Sequence, residues 1–112
     1  MARLIVTAFS EDGIASPGNR QPNYIIVSAT DVSGVPVTGL GLPNFKVDPM
    51  IVGPGGALVD IVGVREGRLS GFYHINVVPI SAETWKAGVY IFAVAVERGP
   101  DKGQTLATVL MD

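Results

Sequence analysis

The chain has 112 residues, no cysteine, a formal net charge of −2 and only 16% charged residues. That length fits one domain with its own core, and the lack of cysteine excludes disulfide frameworks, zinc–thiolate sites and cysteine nucleophiles. No Lys/Arg run supplies the phosphate-neutralising term on which nucleic-acid binding rests.

From the amino end, residues 4–10 alternate like a strand, and their apolar run is too short for a signal peptide. The expectation is therefore a cytoplasmic protein, with a signal-independent route outward as the alternative. Residues 11–22 hold two glycines and two prolines and read as loop. Residues 24–30 form a second strand, with Ile25, Val27 and Ala29 on one face and Tyr24, Ile26 and Ser28 on the other. The stretch Asp31-Val32-Ser33-Gly34-Val35-Pro36-Val37-Thr38-Gly39-Leu40 reads as a turn, a short exit and a second turn. A short strand over 44–48 is expected to stop at Pro49. A further strand over 57–64 opens from the breaker Gly53-Pro54-Gly55-Gly56.

Residues 71–78 form the next strand. Tyr73, Ile75 and Val77 are its core face, and Phe72, His74 and Asn76 lie opposite. Residues 81–85 read as one helical turn capped by Ser81. The strand over 89–98 sets Tyr90, Phe92, Val94 and Val96 on one face and the equally apolar Val89, Ile91, Ala93 and Ala95 on the other. A last strand covers 104–110. Seven short strands with turn signals between them, and no sustained helical period, predict an all-β antiparallel sandwich spanning 1–112. No apolar stretch approaches the roughly 18–20 residues of a membrane-spanning helix.

Two motifs carry a resemblance. Asp31, Gly34, Pro36, Val37 and Gly39, followed by Gly88, Tyr90, Val94 and Val96, resemble the D-x-x-G-x-P-V-x-G turn and the G-x-Y-x-x-x-V-x-V strand of bacterial immunoglobulin-like domains. The likeness covers roughly residues 24–110, and transthyretin-like sandwiches share the first motif more weakly. The resemblance implies an immunoglobulin-like β-sandwich, and it implies that the Tyr90 hydroxyl bonds back to nearby backbone.

No chemistry stands out. His74, the sole histidine, has no cysteine or second histidine to complete a usual zinc site and reads as a surface or interface residue. Ser28, Ser70 and Ser81 lack a nucleophile-elbow context. The Gly53–Gly56 breaker lacks the ending of a phosphate loop. The carboxylates are scattered without calcium-loop spacing. No metal or cofactor is expected. Arg65-Glu66-Gly67-Arg68 reads as a solvated hairpin tip. Trp85, the one tryptophan, reads as a plug at the end of the sandwich, with a sugar-stacking platform as the alternative.

A lone antiparallel sandwich shows polar outer faces, and here those of the second and sixth strands are apolar. Hydrophobic residues also make up 47% of the chain, with mean hydropathy +0.39. Ile26, Val89, Ile91 and Ala93 are therefore the candidate interface. The expectation is a non-catalytic interaction or structural module whose partner is a protein, most simply a second copy in a homo-oligomer. Neither nucleic acid nor membrane is expected as a partner. An accessory subunit of a larger particle and a carbohydrate-binding module are the alternatives.

Overall fold

A computed structural model describes residues 2–11, 15–52, 54, 56 and 58–111, with Glu11 as backbone only. Seven strands follow in order: β1 (Ile5–Glu11), β2 (Asn23–Thr30), β3 (Phe45–Ile51), β4 (Val59–Glu66), β5 (Phe72–Pro79), β6 (Gly88–Arg98) and β7 (Asp101–Met111). They build a four-stranded sheet in the order β1-β2-β5-β4 and a three-stranded sheet in the order β3-β6-β7. All the strand pairings are antiparallel. This is the strand order of the immunoglobulin constant-type sandwich.

Alternation builds the core. Ile25, Val27, Tyr73, Ile75 and Val77 from one sheet meet Phe92, Val94 and Val96 from the other, all fully buried. The faces assigned from the sequence to β2, β5 and β6 are the faces observed. Asn23 is the one polar residue among the buried described ones, and its Nδ2 has no hydrogen-bond partner among them.

The first motif does what its residues dictate. The Asp31 carboxylate accepts the N–H groups of Ser33 (2.8 Å) and Val35 (3.0 Å), and Gly34 turns the chain at φ 85°. Pro36 then bridges Thr30, Val37 enters the core, and Gly39 makes the second turn at φ 77°.

Three expectations need correcting. Strand β3 does not stop at Pro49; it runs on to Ile51, with a register shift between Pro49 and Ile51. It is an edge strand, the place in a sheet where proline is tolerated. Residues 81–85 form no helical turn: Ser81 sits at φ 55°, and Arg20 holds the segment by donating to the carbonyls of Pro79 (2.8 Å), Ser81 and Glu83 (2.7 Å). Strand β7 starts three residues earlier than expected, because the hairpin closes tightly with Arg98 opposite Asp101. Residues 12–14 of the first loop, and residues 53, 55 and 57 of the expected breaker and strand start, lie outside the described residues.

Candidate functional site

Trp85 is 0% exposed. Its indole Nε1 donates to the Gln21 carbonyl at 2.8 Å, and its ring meets Tyr90 edge-on with centroids 5.2 Å apart. Its backbone is zipped to the first loop by Gly18 N to Trp85 O and Trp85 N to Asn19 O, each 2.9 Å. It offers no ring face to a sugar, so the platform reading gives way to the plug. The Tyr90 hydroxyl accepts the Lys86 N–H at 2.9 Å, the backward bond that the resemblance implied. A matching device seals the other end, where the Tyr73 hydroxyl donates to Val37 O at 2.6 Å and accepts from Leu40 N at 3.3 Å. Burial of Tyr73 pushes its pKa above the ordinary 10.0, and the nearby Glu66 adds to the rise.

The candidate interface residues divide between two surfaces. Val89, Ile91 and Ala93 lie on the outer face of the three-stranded sheet. There Val89 stands opposite Leu110, Ile91 lies between Ile51 and Thr108, and Ala93 lies between Asp48 and Leu106. Leu106 is 59% exposed and Leu110 66%, with Met50 and Ile51 also open to solvent. The alternation in β7 that points Ala107, Val109 and Met111 inward turns Leu106 and Leu110 out. Leu106, Leu110, Met50 and Ile51 were not singled out from the sequence, although two leucines on the otherwise polar face of β7, at 106 and 110, carried a signal.

Ile26 does not join them. It lies on the outer face of the opposite sheet, between Phe9 and His74, and these large neighbours leave it only 8% exposed. His74 is half-buried beside it. Ser28 bonds Thr7 across the strand pair and faces Phe72 on its other side, while Ser70 and Ser81 are exposed turn residues. Among the described residues, no group of three His, Cys, Asp or Glu is placed to hold a metal ion. Nor, among those residues, is any helix long and apolar enough to cross a membrane. The described geometry leaves an exposed apolar surface on one outer face of an all-β sandwich.

No protein-family model and no curated protein matches the chain. Among solved structures, it is similar to self-complemented MyfA, the major subunit of Myf fimbriae from Yersinia enterocolitica, in complex with galactose. Identity is 15% and the TM-score 0.49, over 96% of this chain and 99% of that one. The expectation of a cytoplasmic protein is corrected here: it conflicts with the fimbrial subunit to which the chain is similar and is withdrawn.

Proposed function

We propose that residues 1–112 form one immunoglobulin-like domain of the bacterial type, non-catalytic, that pairs with a second copy through the outer face of the β3-β6-β7 sheet. The supporting observation is the apolar surface made by Ile51, Val89, Ile91, Leu106 and Leu110 on adjacent strands of one face. Contiguous exposed apolar patches of this kind mark interaction sites, whereas scattered exposed leucines do not. The molecule measures 42 × 25 × 21 Å. Its face has room for the roughly 800 Å² per partner of an ordinary stable interface.

A second copy is the occupant that the charges favour. The rim of the face on β3 carries one charge of each sign, Lys46 and Asp48, both exposed. A two-fold pairing can set each against its opposite in the partner. The test is Ile91→Glu beside Leu106→Glu, followed by sedimentation velocity. Both variants are expected to stay folded and sediment as monomers while the parent chain sediments as a dimer. A parent chain that is monomeric at every concentration overturns the reading. An Ile91→Glu chain that unfolds would make that position core, and Leu106→Glu then decides the question alone.

A further inference from the structure

The tip expected to be a plain solvated hairpin instead curls over the outer face of the four-stranded sheet. Gly67 N donates to Phe72 O at 2.7 Å and Phe72 N to Leu69 O at 3.2 Å, which folds the β4–β5 connection back on itself. A Cβ at Gly67 would stand 3.5 Å from both Cδ2 and Nε2 of His74, so the imidazole lies against the turn. Between tip and sheet is a depression of about 700 Å³, within the usual range of small-molecule sites.

Two chemistries meet in it. Ile26, Leu69 and Phe72 give apolar surface, with Leu69 and Phe72 left open to solvent. Arg65 and Arg68 give two guanidinium groups on exposed side chains. The carboxylate in the lining, Glu66, is committed elsewhere: its two oxygens accept the N–H groups of Gly39 (3.2 Å) and Gly71 (3.3 Å), which ties the hairpin to the Pro36–Gly39 segment. Among the described residues, no carboxylate pairs with Arg65 or Arg68. The depression is thus cationic at its rim and apolar on its floor, with its one acid turned to another task.

We propose that this depression binds a small organic anion, with Arg65 and Arg68 holding a phosphate or carboxylate head and Phe72 and Leu69 flanking a flat apolar body above Ile26. Guanidinium forks match such oxyanions two bonds at a time, and an exposed phenyl face gains by covering. The site is on the sheet opposite the proposed dimer face, so either reading can fail without the other.

His74 is the only histidine in the chain, so its ring C–H resonances give an unambiguous NMR reporter inside the depression. Phenyl phosphate titrated at fixed pH is expected to shift them saturably. Inorganic phosphate is expected to bind at least about tenfold more weakly, since it lacks the ring. Arg65→Ala and Arg68→Ala should each weaken phenyl phosphate binding about tenfold, the scale of one charge-assisted hydrogen bond. Phe72→Ala should bring phenyl phosphate down to the level of inorganic phosphate. All three positions are exposed, and an unchanged core-methyl spectrum verifies each variant's fold. No saturable shift up to roughly 10 mM, a range that covers even weak sites, overturns the proposal. So does a shift that survives the Arg65→Ala/Arg68→Ala double variant, or equal binding of the two phosphates.

Discussion

Two tyrosines close the two ends of the sandwich, each with its hydroxyl on loop backbone. Removing the Tyr73 hydroxyl leaves the buried Val37 carbonyl without its donor. Tyr73→Phe should therefore cost about 1–3 kcal/mol at neutral pH, measured by urea unfolding. The same residue carries a pH signature. Burial raises its pKa, so the fold disfavours its ionised form. Its contribution is complete below the ordinary tyrosine value of 10.0 and is lost as pH rises through the raised value. Repeated at pH about 11, the urea series should show a smaller alkaline loss for Tyr73→Phe than for the parent chain. An equal loss would place the titrating group elsewhere.

Trp85 and Arg20 divide what the sequence told about these ends. A large ring with one polar handle in the connection that leads into β6 was enough to suggest a plug. Nothing marked Arg20, because its three carbonyl partners, Pro79, Ser81 and Glu83, lie about sixty residues away in the chain. A guanidinium that pins a loop and one that faces water read alike in sequence.

Strand edges are managed in two ways. Strands β3 and β4 each border solvent along one edge, and each carries a register shift, between Pro49 and Ile51 and between Ile61 and Gly63. Such bulges twist an edge away from further pairing. On the other side, the amino end crosses from one sheet to the other. Leu4 N donates to Lys102 O at 2.8 Å and Lys102 N to Ala2 O at 3.2 Å, making a parallel bridge between Arg3 and Lys102. Gly103 permits that approach, for a Cβ there would stand 2.3 Å from Leu4 O. Gly103→Ala should destabilise by about 1–3 kcal/mol and abolish amide-exchange protection at Leu4 and Lys102 while β2 and β6 stay protected. Retained protection at Leu4 would show that the closure does not depend on the glycine.

At this scale the sequence spoke clearly wherever a strand has one buried face. The alternation in β2, β5 and β6 assigned the inward-facing apolar set from Ile25 to Val96, since a one-residue slip would turn the whole set to solvent. It misled where an element's role depends on its place in the sheet. Pro49 reads as a stop unless β3 is known to be an edge, and Ile26 reads as an open surface unless Phe9 and His74 are known to flank it.

The whole molecule has two unlike outer faces. The four-stranded sheet covers Ile26 with Phe9 and His74, leaves Phe9 itself in solvent, and carries the cation-rimmed depression under the β4–β5 tip. The three-stranded sheet leaves Ile51, Leu106 and Leu110 in solvent around Ile91. The hydrophobic surplus visible in the composition is spent partly on that second face. Burying it against a copy is worth roughly 25 cal/mol per Å² before association costs, which is the driving force of the proposed dimer.

That dimer is the central claim, and the molar mass of the unmodified chain by light scattering across a range of concentrations tests it most directly. The account predicts a mass that rises with concentration to twice the 11.7 kDa of the chain and stays there. A mass fixed at 11.7 kDa throughout would contradict it.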